Sequence, residues 1–266
     1  MSEFIKNPAM LFDIRGKVAV VTGASGAFGS LAARILAGAG ARLVLAAGKA
    51  SELKATADEC RAIGAEVEDI ARRPNTEADC EAIMAAADAR FGGVDILVVG
   101  SGLNDVSLIG DMSLERFENV MQGNVTGAWL LCRAYGKRAI AQGRGGKVVL
   151  VSSARGLLGH PAGYSAYCTS KAATDGLTRA LGCEWGKHGI TVNAIAPTVF
   201  RSALTAWMFQ DTEKGNATRN GMLARIPLGR LGEPEDLAGP LLFLASKASD
   251  FYTGHILYAD GGYTAG

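Results

Sequence analysis

The chain has 266 residues and a formal net charge of +1 at pH 7, and hydrophobic residues make up 48% of it. Acidic and basic residues are interspersed, which gives no electrostatic footprint for nucleic acid or for an anionic membrane. No apolar run is long enough for a membrane span, and residues 1–15 lack the pattern of a signal peptide, so we expect a cytoplasmic protein. The 5 cysteines form no Cys-x-x-Cys pair and the 3 histidines are scattered, so neither a disulfide framework nor a metal site is expected.

The first recognisable pattern is a strand, a glycine-rich turn and a helix. Lys17–Thr22 is rich in β-branched residues, glycines recur in residues 23–29, and a helical pattern continues to Ala39. Glycines let the backbone approach a pyrophosphate, and free N–H groups at a helix start attract its charge. Such a turn is equally typical of a strand-to-helix corner that needs glycine only for steric reasons.

The same alternation continues along the chain. Further strands are expected at 43–47, 67–71, 94–99, 147–151, 190–195 and 255–258, and further helices at 51–63, 76–91, 113–141, about 165–187 and 234–246. Short apolar strands separated by helices predict a parallel sheet with right-handed crossovers. We therefore expect an α/β fold, a doubly wound, mostly parallel seven-stranded sheet of the Rossmann type, in a single domain over residues 1–266.

Two polar features interrupt this apolar pattern. Gly100-Ser101-Gly102 follows the fourth strand at the sheet edge where ligands bind in such folds. Gly123-Asn124 falls in the middle of the long helix, where asparagine is mildly unfavourable. Asn124 therefore favours a functional interpretation.

Tyr167 and Lys171 are four residues apart in one helix and therefore share a face. A phenol normally titrates near pH ~10, which makes it a poor acid or base at neutrality. An ammonium group at ~5 Å and an effective dielectric of ~20 favours the phenolate by roughly 3 kcal/mol. An isolated pair with this spacing is more commonly a solvated surface pair, so the rest of the chain has to decide.

Residues 200–227 break the alternation of strands and helices and are expected to form a substrate lid. Apolar residues in the lid and after the strand ends predict a small, mostly apolar substrate: Leu103, Leu157, Leu158, Trp207, Met208 and Phe209. The alternative is that the lid side chains pack on the scaffold.

Taken together, these features resemble the short-chain dehydrogenase/reductase family from Gly16 to the C-terminus. The turn from Thr22 to Gly29 is similar to its cofactor turn, and Asn124, Ser153, Tyr167 and Lys171 match its catalytic positions. Pro197, the Pro-Leu-Gly-Arg from Pro227 and the closing Asp260-Gly261-Gly262 are also similar. Several matches in the correct order are more specific than any one of them.

The resemblance implies hydride transfer between a nicotinamide cofactor and a carbonyl carbon. Tyr167 would then exchange the proton, Lys171 would lower its pKa and bind the ribose, and Ser153 would bind the substrate oxygen. Asn124 would hold a water that connects Lys171 to solvent, whereas Ser152 is expected to be only a strand-end residue. The expected cofactor contacts are Gly23, Ser25, Gly26, Ala27, Phe28, Gly29, Lys49, Gly100, Ser101, Gly102, Tyr167, Lys171, Pro197, Val199 and Ser202.

The chain departs from the family pattern in three places. Ala27 stands where the middle glycine of the cofactor turn is expected, with Gly26 one position early. Residues 99–102 replace an Asn-Asn-Ala-Gly sequence. The usual adenine-binding aspartate aligns with Arg73, unless the loop shifts and Asp69 takes its place.

Three alternatives to a small apolar substrate remain at this point. A 3-oxoacyl-(acyl carrier protein) reductase tends to carry a basic residue before the glutamate on the Tyr-Lys helix, where this chain has Cys183 before Glu184. A sugar or polyol dehydrogenase has the same catalytic set. A dinucleotide-binding sensor or scaffold has no evident need for that set. The family also suggests a homotetramer.

The choice of dinucleotide depends on the end of the second strand. An NAD enzyme usually has a carboxylate there for the ribose hydroxyls, and this chain has Ala47. Gly48 replaces the usual arginine of NADP enzymes, which leaves Lys49 as the nearest base in the sequence. Because the repelling carboxylate is absent, NADP(H) is slightly favoured over NAD(H).

Overall fold

A computed structural model describes residues 2–202 and 205–266. Its strands are Val18–Thr22 (β1), Arg42–Ala46 (β2), Val67–Ile70 (β3), Ile96–Val99 (β4), Gly146–Val151 (β5), Ile190–Pro197 (β6) and Ile256–Ala259 (β7). Its α-helices are Glu3–Lys6 (α1), Ala27–Gly38 (α2), Ala50–Ile63 (α3), Glu77–Phe91 (α4), Leu114–Met121 (α5), Gly127–Gln142 (α6), Ser165–Trp185 (α7), Glu213–Leu223 (α8) and Glu235–Ala245 (α9).

The strands form one sheet in the order β3-β2-β1-β4-β5-β6-β7, and every neighbouring pair is parallel. The prediction of a seven-stranded, doubly wound sheet is confirmed. The strand order reverses between β1 and β4, so the carboxyl ends of these two strands flank a crevice, which is where ligands bind in sheets of this type.

Both faces of the sheet are covered. Ala19 and Val21 of β1 pack with α2, α3 and α9, whereas Val20 packs with α4 and α6 on the opposite face. Successive residues of a strand point to opposite faces, so a strand buried on both sides is apolar throughout, as β1 is. This two-sided burial fixes the strand ends that carry the site.

The predicted lid contains a 3₁₀ turn at Ala206–Phe209 followed by α8. Two residues of the lid, 203 and 204, lie outside the described residues. Across the described ranges, no helix is both long and apolar enough to cross a membrane.

Candidate active site

Glycines allow close backbone contacts at the base of the crevice between β1 and β4. A Cβ atom on Gly23 would lie 2.5 Å from the Gly100 carbonyl oxygen, and one on Gly100 would lie 2.8 Å from the Thr22 carbonyl oxygen. Gly29 faces the Gly23 carbonyl in the same way, and Gly23 has a φ of 68°. The two strand ends and the first turn of α2 therefore touch through backbone atoms, which only glycine permits.

The cofactor turn accommodates Gly26, the glycine that stands one position early in the sequence. Gly26 is the N-cap of α2, and its N–H donates to the Gly23 carbonyl at 2.8 Å. Ala27 is the first residue of α2, so its methyl group belongs to the helix and not to the glycine turn. The free N–H groups of the first helical turn remain directed at the crevice. Phe28 packs against the core between the sheet and α2 instead of lining the crevice.

A cleft of about 810 Å³ extends from this turn along the carboxyl edge of the sheet. Nine of the predicted cofactor contacts line it: Gly23, Ser25, Gly26, Ala27, Lys49, Gly100, Ser101, Gly102 and Ser202. Arg73, the residue aligned with the adenine position, lines it as well. A cleft of this size and shape fits an extended dinucleotide, with the glycine turn beside its phosphates.

The outer end of the cleft carries several charged side chains, and most of them are paired. Lys49 is bonded to Glu52 at 2.8 Å, and Arg34 is bonded to Glu59 at 2.6 Å. Among the described residues, the Arg73 guanidinium has no acidic partner. It lies against Gly48, where a Cβ atom would be 2.5 Å from Arg73 Nε. Arg73 is therefore better able than Lys49 to bind an anion, since Lys49 is already in an ion pair.

Asp69 lies outside this cleft. It is on β3, and its carboxylate accepts a hydrogen bond from Arg61 at 2.5 Å. Asp69 is not among the residues that line the cleft, whereas Arg73 is. The structure therefore favours Arg73 at the adenosine end.

The break expected at Gly123-Asn124 is a π-helical segment, Gln122–Thr126, between α5 and α6. π-Helical turns are rare and often occur at functional sites. The buried Asn124 side chain accepts from the Leu103 N–H at 2.7 Å and donates to the Leu103 carbonyl at 2.8 Å and to Ser170 Oγ at 2.9 Å. It thus ties the segment after β4 to the neighbour of Lys171 on α7.

Ser153, Tyr167 and Lys171 meet beyond the carboxyl end of β5. Ser153 follows β5, and Tyr167 and Lys171 lie in the first two turns of α7. Lys171 is only 6% exposed, and its Nζ lies 5.5 Å from the centre of the Tyr167 ring and donates to the Val151 carbonyl at 2.7 Å. The predicted shared face is present, and it points into the protein.

Burial controls the protonation of both side chains. It raises the pKa of Tyr167, while the Ser153 hydroxyl and the charge of Arg155 act in the opposite direction. It lowers the pKa of Lys171 to about 8, and the negative charge of Asp175 partly offsets this. Lys171 therefore carries its charge at pH 7. A lowering of the Tyr167 pKa by Lys171 remains a proposal, because burial dominates the Tyr167 pKa in this structure.

Sequence reasoning missed a polar pair beneath this site. The buried Ser152 hydroxyl donates to Asp175 Oδ1 at 2.5 Å, so Ser152 does more than end a strand. Burial raises the pKa of Asp175, and the bond from Ser152 opposes that increase. The Lys171–Asp175 spacing of four residues was the signal in the sequence.

The end of β6 and the lid complete the site. Pro197 is the last residue of β6, and the Val199 carbonyl accepts from the Gly232 N–H at 3.0 Å. Ser202 lines the cleft, and its Oγ lies 3.1 Å from Thr205 Oγ1. These positions are compatible with contacts at the nicotinamide end, and such contacts stay a prediction.

The apolar lid residues mostly pack on the scaffold. Met208 is buried with Ala154 and Tyr263, and Phe209 lies beneath the Arg201 guanidinium, whose Cζ is 3.8 Å from the ring centre. Trp207 is 39% exposed and has Lys214 Nζ 5.3 Å from its ring centre. This is the alternative that the sequence left open, and it removes much of the support for an apolar pocket.

Comparison with known proteins identifies the family of the chain. Residues 23–264 match a family model described as enoyl-(acyl carrier protein) reductase. A Mycobacterium tuberculosis protein named as an uncharacterised oxidoreductase is 54% identical over 257 residues, which is 96% of this chain and 93% of the relative.

Two solved structures have the same fold over nearly their whole length. A short-chain type dehydrogenase/reductase from Mycobacterium marinum has a TM-score of 0.87 and 34% identity, covering 97% of this chain and 98% of that chain. A gluconate 5-dehydrogenase from Burkholderia cenocepacia, in complex with NADP and tartrate, has a TM-score of 0.88 and 29% identity, covering 96% and 98%. The chain therefore belongs to the short-chain dehydrogenase/reductase family and is an NAD(P)-dependent oxidoreductase that interconverts an alcohol and a carbonyl compound.

Proposed function

We propose that Tyr167 is the general acid and base of this oxidoreductase, with Ser153, Lys171 and Asn124 in support. The observation that carries the proposal is the buried Lys171 ammonium, whose Nζ lies 5.5 Å from the centre of the Tyr167 ring. It lies next to Gly102 of the cleft, where a Cβ atom would be 3.9 Å from Lys171 Nζ. A buried cation beside a phenol is costly for a fold and useful for proton transfer.

The chain's own residues divide the chemistry between them. When bound, the nicotinamide cofactor supplies or accepts the hydride. The Ser153 hydroxyl binds the carbonyl oxygen, and Tyr167 donates a proton to that oxygen as negative charge develops on it. In the reverse direction Tyr167 accepts the proton. Lys171 stabilises the resulting phenolate and is positioned for the ribose hydroxyls, and Asn124 holds the segment after β4 against α7.

NADP(H) is the proposed physiological cofactor. Ala47 and Gly48 present no carboxylate that would repel a 2′-phosphate, and Arg73 adds an unpaired positive charge among the described residues. The Burkholderia structure, which contains NADP, supports this preference. Arg73 replaces Lys49 as the proposed phosphate contact, because Lys49 is already paired with Glu52.

The substrate is proposed to be a small molecule. An acyl carrier protein would need a basic docking position, and the position before Glu184 is the exposed Cys183. The gluconate 5-dehydrogenase among the structural relatives supports an oxygen-rich substrate over the mostly apolar one that the lid residues suggested. The catalytic set argues against a sensor or scaffold role.

A homotetramer remains part of the proposal. Large apolar side chains are exposed on the two helices that flank the π-helical segment, with Leu114 at 70% and Trp129 at 49% exposure. Burying such side chains between copies of the chain would stabilise an oligomer. Light scattering in solution tests this, and a monomer at micromolar concentration would contradict it.

The test of the proposed function is NADPH consumption with a panel of aryl ketones, medium-chain ketones, keto sugars and oxo acids. We expect turnover with at least one class, at a higher kcat/KM with NADPH than with NADH. The absence of turnover across the whole panel, together with tight binding of NADPH, would favour the sensor alternative.

A further inference from the structure

Two arginines flank one buried tyrosine next to the catalytic residues. The Cζ atom of Arg155 lies 5.3 Å from the Tyr263 ring centre, and that of Arg225 lies 4.4 Å from the same point. Arg155 also donates to the Tyr263 hydroxyl at 2.7 Å and to the Gly159 carbonyl at 2.8 Å. Tyr263 is only 1% exposed, so it fixes the position of this pair.

The two arginines come from different segments of the chain. Arg155 belongs to the short 3₁₀ turn after β5, two residues beyond Ser153. Arg225 follows α8 at the end of the lid, next to the buried Ile226. At the Tyr263 ring, the segment next to Ser153 therefore meets the end of the lid.

Their charge is not neutralised within the described part of the chain. Neither arginine forms an ion pair there, in contrast to Arg116, Arg138 and Arg230, which each contact an aspartate. Both guanidinium groups are therefore available to bind a ligand of opposite charge.

The positive potential reaches the catalytic tyrosine. The charges of Arg155 and Arg225 lower the pKa of His160, after the larger effect of burial, and Arg155 also lowers that of Tyr167. The His160 ring lies 4.5 Å from that of Tyr164, which in turn lies 6.3 Å from that of Tyr167. Arg155 is thus close enough to Tyr167 for its charge to act on the proton donor.

We infer that Arg155 and Arg225 form the binding site for a carboxylate on the substrate, so that the enzyme acts on hydroxy acids and their oxo acids. A guanidinium group can bind a carboxylate through two parallel hydrogen bonds, which gives orientation as well as affinity. The acid would be anchored at the arginines while the reacting oxygen lies at Ser153 and Tyr167. This inference rests on the proposed function, since it names the substrate class for the same site.

Calorimetric binding to the NADP⁺-loaded protein tests the inference without relying on turnover. The probes are matched acids and primary amides: 4-oxopentanoate with 4-oxopentanamide, and 2-oxobutanoate with 2-oxobutanamide. The variants Arg155→Gln and Arg225→Gln each remove one guanidinium group. The variant Arg155→Lys keeps the positive charge but cannot form two parallel hydrogen bonds to a carboxylate. The variant Arg90→Gln is the control. Arg90 is an exposed residue on α4 whose nearest acid is Glu66 at 3.6 Å.

We expect at least one acid to bind roughly tenfold or more tightly than its amide, as is typical of hydrogen bonds to charged groups. Arg155→Gln and Arg225→Gln should remove this preference, Arg155→Lys should reduce it, and Arg90→Gln should leave it unchanged. Thermal unfolding of each variant identifies a folding defect. Arg225 is an exposed residue, so the Arg225→Gln variant still tests the inference if Arg155→Gln unfolds.

Equal binding of acids and amides by the wild type, or a preference that survives both glutamine variants, would overturn the inference. Turnover of neutral ketones without any preference for acids would also overturn it while leaving the oxidoreductase assignment intact. Selective binding of acids with no turnover of any compound would instead contradict the proposed function and retain the anion site.

Discussion

Asp175 lies one helical turn beyond Lys171 on α7, so a buried carboxylate and a buried ammonium share one face of the catalytic helix. The carboxylate raises the pKa of Lys171 against the effect of burial, which lowers it to about 8. Through Ser152, Asp175 is also attached to the end of β5. The pKa of Lys171, the proposed partner of Tyr167, thus depends on a residue that need not touch substrate.

Asp175→Asn should lower the pKa of Lys171 further below about 8, because the nearby negative charge is lost. The alkaline limb of kcat/KM for carbonyl reduction should then move to lower pH, while the rate at pH 6 changes little. The measurement is a pH profile from 5.5 to 9.5, with the surface variant Asp58→Asn as the control. An alkaline limb at the same pH as in wild type would show that Asp175 does not influence the pKa of Lys171.

Lys171→Met should abolish most of the activity and yet stabilise the fold at pH 7. The pKa of Lys171 falls from its ordinary 10.5 to about 8, so folding opposes its protonation. This costs about 3 kcal/mol below pH 8, and the cost disappears as pH rises towards 10.5. Loss of the bond to the Val151 carbonyl offsets about 1 kcal/mol of the gain.

Thermal unfolding of Lys171→Met and of wild type at pH 7 and pH 10, at one protein concentration, checks this prediction. The melting temperature of the variant should exceed that of wild type at pH 7, and the difference should shrink at pH 10. A variant that is less stable than wild type at pH 7 would mean that the buried ammonium is better compensated than its lowered pKa indicates.

Arg73→Gln should weaken NADPH binding about tenfold and leave NADH binding almost unchanged, because one charge-assisted contact to the 2′-phosphate is lost. Lys49→Gln should have a smaller effect, since Lys49 is paired with Glu52. Gly48→Ala should resemble Arg73→Gln, because the added methyl group would occupy the space of the Arg73 side chain. Fluorescence titration with both cofactors measures these ratios. A larger loss of NADPH affinity in Lys49→Gln than in Arg73→Gln would favour Lys49 as the contact to the 2′-phosphate, as the sequence indicated.

Asn124→Ala should destabilise the protein by about 3 kcal/mol, because three hydrogen bonds are lost and the Leu103 backbone groups are left without partners. Gln122→Ala is the matched control, since Gln122 lies in the same π-helical segment and makes one exposed bond to the Asn75 carbonyl. That control should cost less than about 1 kcal/mol. Chemical denaturation measures the free energy of unfolding of both variants. Equal losses in the two would indicate that Asn124 does not hold the segment in place.

The periodicity of the sequence was sufficient for the sheet and for the order of its elements, because apolar runs and glycine turns are local features. It also located the break at Asn124, since a polar residue among apolar ones is visible without coordinates. The π-helical form of the break was not predictable, because it depends on contacts between Asn124 and Leu103, which are 21 residues apart.

Long-range proximity explains the remaining differences. Ser152 could not be recognised as the partner of Asp175, because the end of β5 and the third turn of α7 meet only in the fold. Lys49 is the only base near the end of β2 in the sequence, whereas the path of the β3–α4 loop brings Arg73 against Gly48 in the fold. The burial of Met208 likewise depends on how the lid folds back.

The measurement that tests the central claim most directly is kcat/KM for Tyr167→Phe beside its dissociation constant for NADPH. Only the hydroxyl is removed, so we expect turnover to fall about 100-fold or more while the dissociation constant stays within about twofold of wild type. Residual activity above about a tenth of wild type would contradict the assignment of Tyr167 as the proton donor.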